Sequence, residues 1–93
     1  MSLLFEWDAR KAAANLLKHG VSFEEASTVF GDACSLTIDD LNHSHMEERF
    51  LLMGMSAQRN LLVVVHCQRG DNIRIISARR VTRRERMTYE EGY

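Results

Sequence analysis

The 93-residue chain has no proline, two lysines and two cysteines, and its longest apolar run is Leu61–Val65. That run falls far short of the ~20 residues a membrane-spanning helix needs, so no membrane role is expected. No basic stretch followed by an apolar segment and a small-residue cleavage site opens the chain, so export is not expected and the cytoplasm is. Two cysteines cannot build a disulfide framework, and Cys34 and Cys67 read as reduced thiols in the core. No Walker loop or dinucleotide-binding glycine pattern occurs, and no cofactor is expected. Without Pro-rich linkers, repeats or low-complexity tracts, residues 1–93 read as one domain.

What is present is apolar material for one core, at 45% of residues, and charge at 27% with a net of −1. The near-neutral total hides a polarity along the chain. Residues 1–68 carry five basic and nine acidic side chains, and residues 69–93 carry seven basic and four acidic. Ten of the twelve basic residues are arginine, whose planar fork suits bidentate contacts to phosphate or carboxylate. A salt-bridged solvent face would explain this segment; an anionic partner would explain it equally well.

Local signals divide the chain into elements. Leu4 to Trp7 reads as a short extended piece. Asp8 then caps a helix over residues 9–18, with Ala12, Ala13, Leu16 and Leu17 as its apolar side and Gly20 as its left-handed stop. Ser22-Phe23-Glu24-Glu25 has capping-box form and opens a helix to about Phe30, burying Phe23, Ala26 and Phe30. Extended segments follow at Ser35–Ile38, Glu48–Met55, Leu61–Cys67 and Ile73–Arg79, and their short polar breaks favour antiparallel hairpins. Thr82-Arg83-Arg84-Glu85 is a second capping box, opening a last helix to about Glu91. The fold class is therefore α+β, with helices packed on an antiparallel sheet.

Arg83, Arg84 and Arg86 occupy the first turns of that last helix, where the dipole disfavours cations by ~0.3–1 kcal/mol each. Arg79 and Arg80 precede its cap. Free N–H groups beside these arginines suit a phosphate, unless Glu85, Glu90 and Glu91 simply pair with them. Glu48, Arg49, His66 and Arg74 fall on neighbouring strands and offer a carboxylate, an imidazole and guanidinium groups for acid–base work on a phosphodiester. Alternation alone does not say whether their faces coincide, and a lone strand histidine is commonly structural. Lys18 and His19 complement the C-terminal dipole of the first helix. His43 and His45 near Asp39 and Asp40 lack a third well-spaced ligand, so no metal is expected.

Taken together, Phe5-Glu6-Trp7-Asp8, Lys11, Asn15, Lys18-His19-Gly20-Val21-Ser22-Phe23-Glu24-Glu25-Ala26, Glu47-Glu48-Arg49-Phe50, Gly54, Leu61–Val65, Arg74-Ile75-Ile76-Ser77-Ala78-Arg79, Glu85-Arg86 and Tyr89 resemble the BrnT family of bacterial type II toxins. The resemblance covers nearly the whole chain in order. It implies a RelE-like ribonuclease fold, with two N-terminal helices, a curved antiparallel sheet of about four strands and a C-terminal helix. It also implies an RNA-cleaving toxin, held inactive by a ribbon-helix-helix antitoxin, the complex of the two repressing its own operon by binding operator DNA.

The combined expectation is a metal-independent endoribonuclease in which the ribose 2′-OH attacks the adjacent phosphate. Arg74 and Arg79 would hold the phosphate, Glu48 or His66 would take the proton, and the other of that pair, or Arg49, would assist the leaving oxygen. Lys18, His19, Arg80 and Arg83 would guide the RNA backbone, and Tyr89 would either stack on a base or donate a hydrogen bond, or else be buried in the core. The competing expectation is a non-catalytic module that binds nucleic acid or protein, including a degenerate toxin that only binds its antitoxin. The helix at 83–91 is short for reading a major groove, and the acidic first part of the chain would be repelled by a duplex.

Overall fold

The computed structural model describes residues 3–39 and 48–92. Strand β1 (Leu4–Glu6) leads into helix α1 (Ala9–His19) through Asp8, whose Oδ1 accepts from the N–H groups of Arg10 at 2.8 Å and Lys11 at 3.1 Å. Gly20 ends α1 at φ 69°, a left-handed conformation that costs glycine nothing, and its N–H donates to Leu16 O. Helix α2 (Phe23–Thr28) starts at Ser22, whose Oγ accepts from Glu25 N–H, and runs into a single 3-10 turn, Val29–Gly31. Strands β2 (Leu36–Asp39), β3 (Phe50–Met55), β4 (Leu61–Arg69) and β5 (Asn72–Arg80) follow, then helix α3 (Arg83–Glu91).

The sheet order is β1-β5-β4-β3-β2. The pairs β2/β3, β3/β4 and β4/β5 are antiparallel, the arrangement that the polar breaks favour. Gly70 makes the tight β4–β5 turn at φ 58°. The sheet differs from the sequence expectation in having five strands, not four, and in being mixed. The short extended piece at Leu4–Glu6 pairs parallel with β5, Leu4 opposite Asn72 and Glu6 opposite Arg74. Three residues carry little pattern of their own; their place is decided by the open edge of β5.

One face of the sheet carries the core. Val21, Phe23, Ala26 and Val29 pack on Leu52, Leu62, Val64, Ile75 and Ala78, flanked by Phe5, Trp7, Ala12 and Phe30. Trp7 meets Phe23 edge-on with ring centroids 5.9 Å apart, and Phe5 meets Phe30 likewise at 5.1 Å. Burying an aromatic or aliphatic side chain in such a cluster is worth ~1.5–3 kcal/mol. The 3-10 turn lies close on β3: a Cβ at Gly54 would fall 2.9 Å from Val29 Cγ1 and 3.0 Å from Asp32 Oδ2, so only glycine fits without displacement.

Four further expectations are corrected. Leu16 and Leu17 do not form the inner side of α1; Leu17 is 90% exposed, and Asn15 is buried instead. Asn15 Nδ2 donates to Ala78 O at 2.8 Å and to Val21 O at 3.0 Å, while its Oδ1 accepts from Ala78 N–H at 3.1 Å. Beyond the end of β1, the side-chain amide thus serves Ala78 as a partner strand would. The capping box at Ser22 is one-sided, because Glu25 turns away to accept from Ser56 Oγ and Asn60 Nδ2. In α2 and its following turn, Val29 takes the fully buried place expected of Phe30. Cys67 is buried as expected, but Cys34 is exposed.

Candidate functional site

Arg74 and Arg79 stand five positions apart on β5, which by simple alternation would send them to opposite faces. The register says otherwise. Arg74 pairs with Cys67 and Arg79 with Val63, and a β-bulge interrupts the β4/β5 ladder between Val65 and His66. Paired residues share a face, and Cys67 and Val63 are four apart, so both arginines lie on the same side. That side is the one turned away from the α1–α2 core, where Ile75 and Ala78 are packed.

His66 belongs to the other side. Its ring meets Phe30 at 4.8 Å and Phe50 at 5.7 Å, and Phe50 is its partner across β3/β4. Burial pushes the imidazole below its ordinary pKa, and Nε2 has no hydrogen-bond partner among the described residues. The sheet therefore separates His66 from the two arginines. Glu48 and Arg49 come just before β3, at the end of the sheet where His66 and Arg74 lie; Glu48 is exposed and Arg49 half-buried.

Both arginine forks meet carboxylates. Arg74 Nη1 lies 2.9 Å from Glu6 Oε2, and Asn72 Nδ2 donates to Glu6 Oε1 at 3.1 Å. Asn72 first, then Arg74, hold the Glu6 carboxyl below the ordinary carboxylate range. Arg79 grips Glu85 with both Nη atoms at 2.9 Å. That bond, helped by the Thr82 backbone N–H, brings Glu85 down to about 2. Thr82 completes the capping box, its Oγ1 accepting from Glu85 N–H at 3.2 Å. One glutamate thus caps α3 and ties it to β5.

Of the remaining sequence-predicted residues, Arg80 and Arg83 lie where β5 ends and α3 begins. Arg80 is exposed and donates from Nη1 to Asn60 Oδ1 at 2.9 Å. Arg83 opens α3, also exposed, and Lys18 and His19 form the last turn of α1, with Asn15 of that helix bonded to Ala78. Tyr89 sits apart from this group, toward the far end of α3. Its hydroxyl donates to Asp32 Oδ2 at 2.6 Å, which pushes the phenol up to about 12. Burial raises Asp32, but hydrogen bonds from Tyr89, Met55 N–H and Cys34 N–H outweigh it and hold the carboxyl low. Tyr89 also lines a shallow cleft of about 380 Å³ with Cys34, Ser35 and Leu36.

Sequence reasoning missed Glu6, Asp32 and Asn60, each the partner of a residue it singled out. Asp32 had a local signal, since an aspartate two residues before Cys34 can accept its N–H in an Asx turn. Glu6 and Asn60 had none, because their partners are distant in sequence. His43, His45 and Asp40 lie outside the described residues; among those described, no group of three or more His, Cys, Asp and Glu side chains is placed to hold a metal.

Comparison with known proteins agrees with this architecture. No curated protein sequence matches the chain. Among solved structures, the ribonuclease toxin BrnT of Brucella abortus, known from a crystal structure at 1.1 Å resolution, superposes with a TM-score of 0.67 at 18% identity, covering 88% of this chain and 100% of that one. At that identity the likeness speaks for the fold. A family model for the ribonuclease toxin BrnT of type II toxin–antitoxin systems matches residues 7–85. Since that match runs from Trp7, just past β1, to Glu85 in the first turn of α3, and so covers most of the chain, the chain belongs to the BrnT family of type II toxin–antitoxin ribonuclease toxins.

Proposed function

We propose that this protein is a metal-independent endoribonuclease whose RNA lies along the arginine-bearing face of the sheet. The observation that carries the reading is the shared face of Arg74 and Arg79, created by the bulge. At ~3.3 Å per residue their partners Cys67 and Val63 stand ~13 Å apart, which sets a line of positive charge suited to a strand's phosphates. Guanidinium groups of this kind supply hydrogen bonds and charge to a phosphate as negative charge grows on it.

The reaction is attack of the ribose 2′-OH on the adjacent phosphorus. The P–O bond to the 5′-oxygen breaks, leaving a 2′,3′-cyclic phosphate and a 5′-hydroxyl. The geometry favours Glu48 over His66 as the group that takes the 2′-OH proton, because Glu48 is exposed and His66 faces the core side. Arg49 hydrogen-bonds the departing 5′-oxygen, which takes its proton from water while Glu48 returns the one it accepted to solvent. Lys18, His19, Arg80 and Arg83 guide the RNA backbone where it rounds the far end of β5, since Arg80 pairs with Leu62 and stands on the α1–α2 side of the sheet. Glu6 and Glu85 already occupy the two forks, so an incoming phosphate shares or displaces them.

The family further suggests a cytoplasmic protein held by a ribbon-helix-helix antitoxin, with operator DNA contacted only through the complex. The test is cleavage of single-stranded RNA in the presence of EDTA. The expected products carry 2′,3′-cyclic phosphate, and a 2′-deoxy substrate stays intact. Strict dependence on an added divalent ion with 5′-phosphate products overturns the mechanism. Antitoxin binding with no cleavage under any condition leaves the binding-only reading in its place.

A further inference from the structure

The three arginines of β5 differ in how their charge is met. Arg74 and Arg79 have their charge met by a carboxylate at 2.9 Å. Arg80 does not; its partner among the described residues is the neutral amide oxygen of Asn60, also at 2.9 Å. A neutral acceptor fixes the direction of a guanidinium and leaves its positive charge available to an anion.

The amide is itself fixed. Asn60 Nδ2 donates to Glu25 Oε2 at 2.8 Å, and the same oxygen accepts from the buried Ser56 Oγ at 2.7 Å. Ser56 Oγ also accepts from Asn60 N–H at 3.1 Å, and Ser56 N–H donates to Asn60 O at 2.8 Å, closing the β3–β4 turn. The Asn60 side chain therefore has one orientation, oxygen toward Arg80 and nitrogen toward Glu25. This explains why Glu25 abandons the reciprocal half of its capping box: its carboxylate anchors the amide instead. The amide also stands between the carboxylate and the guanidinium, which keeps them from pairing directly.

We propose that Asn60 is a positioning residue that aims the Arg80 guanidinium at the RNA backbone without neutralising it. The inference rests on the proposed RNA-cleaving function and on Arg80 as a phosphate contact; Glu25 and Ser56 act through Asn60.

The experiment measures binding of a short single-stranded RNA, 2′-O-methylated throughout so that it is not cut, across a range of salt concentrations. Asn60→Ala is expected to weaken binding about three- to tenfold, and Asn60→Asp, which places a carboxylate against Arg80, to reduce the salt slope by about 0.7, one single-strand phosphate contact. In an Arg80→Ala background, Asn60→Ala is expected to change affinity less than twofold. A merely scaffolding role for Asn60 would give the same loss in both backgrounds, and that result overturns the proposal. So does an Asn60→Ala protein that binds as the wild type does, or failure of both Asn60 variants to fold. Absence of RNA binding by the wild-type chain overturns the proposed function and this inference with it, whereas wild-type binding with no effect at Asn60 removes only the latter.

Discussion

Arg79 and Glu85 face each other fork to fork, with both nitrogen–oxygen distances at 2.9 Å, and the same carboxylate caps the helix that follows. No residue of α3 is buried, so the helix is held by polar anchors: this pair near its start and the Tyr89–Asp32 bond near its end. Because Arg79 brings Glu85 down from 4.5 to about 2, the pair contributes stability fully present above pH 4.5 and lost as pH falls toward about 2. Glu85→Gln should therefore destabilise the protein at pH 7. The Arg79 side chain is 39% exposed, so solvent screening keeps the loss near ~1 kcal/mol. Urea unfolding at successive pH values should show the difference between variant and wild type shrinking below pH 4.5; a difference that does not vary with pH would mean that the charge of Glu85 is not what holds the helix.

The other anchor gives a spectroscopic prediction. Deprotonating Tyr89 would bring a phenolate against Asp32, and the 2.6 Å bond to that carboxylate pushes the phenol up to about 12. With Tyr93 replaced by phenylalanine, the absorbance of the one remaining tyrosine should show little phenolate at pH 11 in the native protein. In denaturant the same variant should titrate near ~10. Asp32→Asn should move the native midpoint down toward that value.

Asn15 tests how the end of β5 is satisfied. Asn15→Ala leaves the N–H and C=O of Ala78 and the Val21 carbonyl without their amide partner in a buried place, and should cost ~2–4 kcal/mol. Asn15→Leu, which restores an apolar stripe to the helix, should do no better. Leu17→Ser, at a position 90% exposed, should fall within ~0.5 kcal/mol of wild type. Equilibrium denaturation ranks the three, and a Leu17 variant more damaging than Asn15→Ala would contradict the packing of α1.

These contrasts mark what the sequence makes legible. Asp8, Gly20 and Thr82 act through neighbours within three or four residues, and each helix boundary they imply is present. The four later strands have enough alternation or apolar run to declare themselves. Leu4–Glu6 has too few residues to declare a partner, and Asn15 breaks the apolar period of α1 to satisfy a backbone group 63 positions away. The same limit governs the site. Arginine enrichment near the C-terminus is visible in composition, but the shared face of Arg74 and Arg79 depends on one bulge, and one slipped residue reverses a face. Grouping His66 with Arg74 followed from strand adjacency, and the register places them on opposite sides.

If the arginine face holds RNA, Arg74→Ala and Arg79→Ala should each lower RNA cleavage by ~10²-fold or more, the scale seen when one donor to a developing oxyanion is removed. Each also breaks an ion pair, so melting temperatures should drop by a few degrees at most while the circular dichroism spectrum stays native-like. Arg69→Ala, on a side chain 3.8 Å from Glu6 and 59% exposed, serves as the control and should retain most activity. Equal losses at all three positions would point to general electrostatic attraction instead of a defined phosphate site.

The exposed arginines of α3 bear on how an antitoxin approaches. Arg83 and Arg84 form no ion pair among the described residues, and Arg86 has only an i,i+4 contact to Glu90 at 3.8 Å, a geometry worth ~0.3–0.5 kcal/mol. Cations gathered in the first turn of a helix also oppose its dipole, so an acidic partner segment gains from the side chains and from the helix N-terminus together. An antitoxin that inhibits by covering the RNA path should therefore present acidic residues here and be steered by charge. Its on-rate should fall about tenfold or more from low to moderate ionic strength, while the off-rate changes far less. Arg83→Glu should lower the low-salt on-rate several-fold and flatten its salt dependence, since the reversed charge repels the same acidic segment. Stopped-flow association of both proteins over a salt series separates this from docking on an apolar surface, for which neither salt nor the charge reversal would alter the on-rate.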